Sequence, residues 1–311
     1  MKIVVLDGYA ANPGDIGWED LKALGEVTVY DRTEKDKIIE RLTDADAVLL
    51  NKCPITKETV EALPKLKYIG VLATGYNIVD TQAAKEAGIT VTNIPAYSTH
   101  SVAQHVFALI LEIASHAGEH SRSCLSGKWS ASRDFCFWEY PLTEIYGKTI
   151  GIIGYGAIGK AVGKIAEAFG MIVLTYSPSK NGRERLSEIY ASSDIISLNC
   201  PLKADNKEMI NKDTLSQMKK GAWLINTARG GLVNDRDIKD ALENGQLGHY
   251  AADVVTVEPI EKDNPLLTAP NVILTPHIAW APYEARVRLM NIAVQNLRSY
   301  IEGNTINCVN V

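Results

Sequence analysis

The chain has 311 residues, 46% apolar and 22% charged, with a formal net charge of -5. That length suits two domains with sizeable cores, and the acidic balance argues against nonspecific nucleic-acid binding. Five cysteines (Cys53, Cys124, Cys136, Cys200, Cys308) form neither a C-x-x-C pair nor a His/Cys cluster with metal-ligand spacing, which argues against a disulfide framework and against a metal site. The opening apolar run stops at Asp7, too short for a secretory segment, and no apolar window is long enough to span a bilayer. The expectation is a cytoplasmic protein without membrane partners.

In chain order, Ile3–Leu6, Val27–Tyr30, Ala47–Leu50, Tyr68–Leu72 and Ile89–Thr92 read as short apolar or β-branched strands. Charged stretches with helical spacing, Glu34–Leu42 and Thr56–Leu63, lie between them. This βαβ rhythm predicts a parallel sheet covered on both faces. Pro95 disfavours helix at Ile94, and Ser98 or Thr99 can then cap a long helix from about His100 to about His120. A loop from about Leu125 to Tyr146 carries Trp129, Phe135, Phe137, Trp138 and Tyr140. So many large aromatics in a long loop suggest a surface that becomes covered, by a second copy of the chain or by packing on its own subunit.

A second βαβ series starts at Thr149. Its strands are Ile150–Ile153, Ile172–Tyr176, Asp194–Leu198, Ala222–Asn226, Ala251–Val255 and Val272–Leu274, and a helix from about Pro282 to Ile301 ends it. The tail Ile306–Val311 is expected to return to the first series. Gly154-Tyr-Gly156-Ala157-Ile158-Gly159 matches G-x-G-x-x-G between a strand and a helix, the context of a dinucleotide site. The first glycine permits the turn, the second lets a pyrophosphate approach the backbone, and the third lets helix pack on strand. The phosphates would sit on helix N-terminal amides near Ala157 and Ile158.

The next strand should end in an acid that binds the adenine ribose, and Ser177 stands there instead. Two readings stay open. Ser177, Ser179 and Lys180, with Arg183, bind the 2′-phosphate of NADP, or Ser177 binds the ribose of NAD. The expectation is that both cofactors work.

Arg229 in N-T-A-R-G, Glu258 in V-E-P and His277 in T-P-H-I-A-W each follow an apolar run. Open α/β sheets place their chemistry at such strand ends. A guanidinium, a carboxylate and an imidazole at one rim are the set needed to hold an anionic substrate, polarise its carbonyl and move a proton. Each alone has a plainer reading, as phosphate contact, turn residue and structural histidine respectively.

Together with Asn199-Cys-Pro-Leu, Asp253-Val and the glycine loop, these runs resemble the D-isomer-specific 2-hydroxyacid dehydrogenase family over essentially the whole chain. The resemblance implies a two-domain α/β protein. Residues 1–98 and 284–311 would form a flavodoxin-like substrate-binding domain, and 99–283 an NAD(P)-binding Rossmann domain with a doubly wound parallel sheet. The active site would lie in a cleft closed by hinges near Tyr97–Thr99 and Pro282–Tyr283. His277 would be the acid/base, Glu258 its hydrogen-bond partner on the far ring nitrogen, and Arg229 the anchor for carboxylate and keto oxygen, a bidentate task lysine cannot copy.

By the same resemblance, Cys200, Pro201, Thr227, Ala228, Asp253, His277 and Ala279 would contact the cofactor, Asp253 through the nicotinamide carboxamide. Thr74, Gly75 and Tyr76 would form a substrate-carboxylate loop with backbone N–H groups aimed at the anion. Leu6-Asp-Gly-Tyr, Pro95-Ala-Tyr-Ser-Thr and Asp134-Phe-Cys-Phe-Trp are most similar to the glycerate dehydrogenase (hydroxypyruvate reductase) branch, whose members are usually homodimers. Gln104 stands where many relatives have Glu. The implied partners are hydroxypyruvate and D-glycerate, with glyoxylate as a poorer substrate. A dehydrogenase for lactate or a branched-chain acid, or a non-catalytic dinucleotide-sensing scaffold, stays open.

Overall fold

The computed structural model describes residues 1–178 and 182–311, with the side chain of Arg183 also outside the description. Ser179 and Lys180 therefore lie outside the described residues. The chain divides into two compact units, one of Met1–Ser98 with Ala281–Val311 and one of Thr99–Trp280.

The first unit is built on β1 (Lys2–Val5), β2 (Glu26–Val29), β3 (Ala47–Leu50), β4 (Tyr68–Val71) and β5 (Thr90–Thr92). They are all parallel and run in the order β2-β1-β3-β4-β5, the flavodoxin-like arrangement. β3 and β4 are buried at every position, as central parallel strands covered on both faces must be. Full burial of each such Leu, Ile or Val stabilises by about 1.5–3 kcal/mol, and the cluster that includes Leu6, Leu50, Ile69 and Val71 supplies this unit's core.

Asp7, just past β1, is buried. Its carboxylate accepts from the amides of Asn51 (2.7 Å), Lys52 (2.5 Å) and Cys53 (3.0 Å), tying the ends of β1 and β3 together. The C-terminal tail returns as expected: Thr92 and Cys308 form an antiparallel bridge, and the Val309 amide donates to the Val91 carbonyl at 2.9 Å.

The second unit holds β6 (Thr149–Ile153), β7 (Ile172–Tyr176), β8 (Ile195–Leu198), β9 (Ala222–Asn226), β10 (Leu247–Ala252) and β11 (Val272–Leu274). All pairings are parallel, in the order β11-β10-β9-β8-β6-β7. The order reverses at β6, with β7 on one side and β8 on the other. Ligands of open α/β sheets bind outside the carboxyl ends of strands at such a switch point. Each sheet face has its own core, one including Leu198, Leu224 and Tyr250, the other Ile152, Ile225 and Val106.

Two sequence expectations need correction. The strand expected at Ala251–Val255 is Leu247–Ala252, so Asp253 lies just beyond it; burial continues through Val254, which made the apolar run look like strand. The long helix expected over His100–His120 is two helices, Thr99–Ser115 and Ala117–Leu125. They break at His116, which adopts a left-handed φ of 47°. The break falls on neither a proline nor a glycine, so periodicity alone did not reveal it.

Residues 126–148 contain no helix or strand, and Trp129, Phe135, Trp138, Leu142 and Tyr146 are exposed there. The segment is tied back by the Thr143 amide on the Ala114 carbonyl (2.9 Å) and by the Glu139 amide on His120 Nε2 (3.2 Å).

Candidate active site

The glycine loop leaves β6 at the switch point. Gly154 has φ of 100°, and a Cβ there would lie 2.6 Å from the Cys200 amide nitrogen. Gly159 admits no side chain either, since its Cβ would stand 2.2 Å from the Gly154 carbonyl oxygen. Gly156 differs. It is exposed, precedes the helix Ala157–Ala168 as its N-cap, and a Cβ built on it meets nothing within 4 Å. So Gly154 and Gly159 answer to packing, while the bareness of Gly156 opens the helix N-terminus to an anion. That cradle fits a dinucleotide pyrophosphate.

Ser177 lies beside this loop, its hydroxyl accepting from the Tyr155 amide at 3.2 Å. Cys200 also borders it but is buried, and burial pushes its thiol up to about 11, so the thiol stays protonated at neutral pH. Pro201 is exposed, its carbonyl accepting from Asn206 Nδ2 at 2.9 Å.

Arg229, Glu258 and His277 follow β9, β10 and β11. Asn226, the last residue of β9, is fully buried. Its Oδ1 accepts from the Ala228 amide (3.1 Å) and its Nδ2 donates to the Arg229 carbonyl (3.0 Å). This side chain folds the 226–229 turn and carries Arg229 out to an exposed position. Thr227 has a buried hydroxyl with no hydrogen-bond partner among the described residues. Gly230 is the residue that brings this turn onto the next one: a Cβ there would lie 1.9 Å from the Val255 carbonyl carbon. Glu258 Oε1 in turn accepts from the Val255 amide at 3.4 Å, and its Oε2 lies 2.6 Å from His277 Nδ1. The pair is about one-third exposed on each side (31% and 31%).

His277 sits in a left-handed conformation, φ 55°. A non-glycine residue held there costs roughly 1–3 kcal/mol and persists only where its surroundings over-determine it. They do so here. The His277 amide reaches back to the Thr275 carbonyl (3.0 Å), and the next two amides, Ile278 and Ala279, donate to Asp253 Oδ1 (2.8 Å) and Oδ2 (2.7 Å). The Thr275 hydroxyl donates to Asp253 Oδ1 at 2.6 Å. Asp253 is 1% exposed and Ala279 3%. Both were expected to contact the cofactor, and the structure places them together as the clamp of the His277 loop.

The sequence-predicted residues thus fall into three groups. Gly154, Gly156, Ala157, Ile158, Gly159, Ser177 and Cys200 gather at the switch point. Thr227, Ala228, Arg229, Asp253, Glu258, His277 and Ala279 gather along the β9–β11 ends. Thr74, Gly75 and Tyr76 follow β4 in the first unit, where the Thr74 hydroxyl donates to the Ile94 carbonyl at 2.8 Å. Asn226 and Gly230 were not singled out, although an Asn closing a strand before a turn is a readable signal. Among the described residues no group of three or more His, Cys, Asp or Glu is placed to hold a metal ion, and no helix is long and apolar enough to cross a membrane.

Residues 107–279 match the family described as D-isomer specific 2-hydroxyacid dehydrogenase, NAD binding domain. The chain is 50% identical to the hydroxypyruvate reductase of Blautia hydrogenotrophica across 100% of both chains. It is 43% identical to the glycerate dehydrogenase of Methylorubrum extorquens over 88% of each. The solved structure of D-lactate dehydrogenase from Aquifex aeolicus, complexed with NAD and lactic acid, is similar with a TM-score of 0.84 at 30% identity, covering 100% of this chain and 99% of that one. A glycine cradle at a switch point, a carboxylate-bound histidine and an exposed arginine on neighbouring strand ends meet full-length similarity in one conclusion: the chain belongs to the D-isomer specific 2-hydroxyacid dehydrogenase family.

Proposed function

We propose that the protein reduces hydroxypyruvate to D-glycerate with NADH or NADPH, the second unit holding the cofactor and the first contributing to substrate binding. The observation that carries this reading is the 2.6 Å His277–Glu258 pair in a chain half identical to a hydroxypyruvate reductase. The nicotinamide, when bound, supplies the hydride. His277 delivers a proton to the keto oxygen, so that addition of hydride to carbon and proton to oxygen gives the hydroxyl. Glu258 accepts from the Nδ1–H and orients the ring, leaving Nε2 to carry the transferred proton. Arg229 binds the substrate carboxylate and polarises the carbonyl, and Thr74, Gly75 and Tyr76 are the proposed second anchor for the carboxylate.

A matrix of 2-keto acids (hydroxypyruvate, glyoxylate, pyruvate, a branched-chain acid) against NADH and NADPH tests the reading. Hydroxypyruvate is expected to give the highest kcat/KM. Faster turnover of pyruvate or the branched-chain acid points to a different D-2-hydroxy acid, and turnover of none of them to a sensing scaffold. Ser177 at the β7 end puts no carboxylate against a 2′-phosphate. The two cofactors are therefore expected within about a hundredfold of each other in kcat/KM, roughly 2.7 kcal/mol. Arg229→Lys is expected to raise KM for the keto acid and lower kcat together, because an ammonium cannot reproduce the two-pronged contact; near-normal kcat/KM in that variant would show the fork to be unnecessary.

The protein is further proposed to be a cytoplasmic homodimer. All five cysteines are free, which suits a reducing compartment. The exposed aromatics of 126–148 supply the apolar surface that a second copy would cover. Gln104, Phe107, Leu111 and Lys160 line an open groove between the helices Thr99–Ser115 and Ala157–Ala168 of the same unit, which adds to that surface. Sedimentation equilibrium is expected to give twice the 34.0 kDa chain mass, and Trp138→Asp to shift it toward the monomer.

A further inference from the structure

We propose that His105 is a positioning residue for His277, acting through Thr275 and Asp253. This inference rests on His277 being the proton donor of the reaction above. His105 lies in the middle of the helix Thr99–Ser115. Its Nε2 is 2.9 Å from the Thr275 hydroxyl and 3.6 Å from Asp253 Oδ1.

The direction of these bonds follows from counting protons. A carboxylate only accepts, and a hydroxyl has one proton to give. The 2.6 Å contact between Thr275 and Asp253 therefore takes the hydroxyl proton, and the remaining lone pairs of Thr275 must accept from His105. His105 is then held with its proton on Nε2. The result is a one-way chain: His105 N–H to Thr275, Thr275 O–H to Asp253 Oδ1, with the Ile278 and Ala279 amides closing on the same carboxylate.

The chain matters because of where it ends. Thr275 and Ile278 flank Pro276 and His277 on both sides, and His277 is held at a φ that its own residue type disfavours. Glu258 fixes the ring from one side, and the buried Asp253 carboxylate joins Thr275 on one arm of the loop to Ile278 and Ala279 on the other. Removing the His105 donor leaves Thr275 free to rotate its hydroxyl. One of the three bonds that orient the Asp253 carboxylate then loosens. The imidazole would be displaced while the glycine cradle, which shares none of these groups, is untouched.

The test compares His105→Leu, His105→Gln, Thr275→Val and the Leu/Val double variant. Glutamine offers an N–H donor at the reach of the histidine Nε2. His105→Leu is expected to lower kcat about tenfold, the worth of one buried hydrogen bond, with the Kd for NADH unchanged. His105→Gln is expected to restore kcat to within about threefold, and the double variant to be no slower than either single one, as members of one chain behave.

A second readout needs no turnover. The His277 Nδ1 proton on Glu258 should give a slowly exchanging downfield NMR resonance in the unaltered protein and in His105→Gln, broadened or absent in His105→Leu. The proposal is overturned if His105→Leu keeps kcat within twofold, if His105→Gln is as slow as His105→Leu, if the Leu and Val effects multiply, or if the resonance persists unchanged in His105→Leu. Should His105→Leu fail to fold, Thr275→Val takes its place in both readouts. If the unaltered protein turns over no 2-keto acid, the functional reading fails, and the resonance alone decides the positioning role.

Discussion

Replacing His277 by glutamine is expected to lower kcat for keto-acid reduction by roughly 10²–10⁴-fold, the usual worth of a positioned acid, while the Kd for NADH stays near its unaltered value. Glutamine keeps a hydrogen-bonding side chain of similar reach, so the left-handed backbone and its clamp on Asp253 are retained. What it lacks is a transferable proton. In the reducing direction the reaction needs that proton at the keto oxygen, and the glutamine amide cannot supply it. Steady-state rates, with NADH fluorescence titration alongside, separate the chemical step from cofactor binding. A variant retaining a tenth or more of the normal kcat would falsify the assignment.

The second large effect is expected at Gly156. Gly156→Asp places a good N-cap residue at the start of a 12-residue helix, where the side chain can accept from the first free amides and its charge suits the helix dipole. Nothing in the protein stands within 4 Å of the new Cβ. The variant should therefore melt at or slightly above the temperature of the unaltered protein. The same carboxylate would occupy the site of the dinucleotide pyrophosphate and repel it. The Kd for NADH is expected to rise at least a hundredfold, about 2.7 kcal/mol.

Gly159→Ala should behave oppositely. Its methyl must push against the Gly154 carbonyl at 2.2 Å, so it is expected to cost stability, on the order of 1–3 kcal/mol. Thermal denaturation and NADH titration of both variants check the pair. Loss of stability in Gly156→Asp without loss of binding contradicts the division of roles.

Most of the architecture is legible in the residues because parallel strands announce themselves. The runs AVLL at β3 and IGII in β6 are apolar without alternation, and the glycine loop follows the second of them directly. The catalytic candidates are legible for a related reason, each sitting just past such a run. What escaped depends on contacts between distant positions. Asp253 reads from the sequence as a cofactor contact, and its clamp role appears only once its partners on the loop after β11 are placed beside it. His105 is a helical residue on an otherwise apolar face, and its meaning appears only once Thr275 is placed beside it. Gly230 looks like half of a loose Gly-Gly pair until the Val255 backbone is seen where its Cβ would be. The break at His116 is set by the tertiary path of the chain; the residue itself is no breaker.

The unequal demands on the three loop glycines bear on descent. A copy of this protein that drifted away from dinucleotide use would still need Gly154 and Gly159 simply to fold, and most of the fingerprint would survive as a fossil. Position 156 alone is released when the ligand is given up, because only the ligand keeps it bare. Among relatives of this fold that have taken up other work, a side chain at that position is therefore where the lost trade should first be recorded.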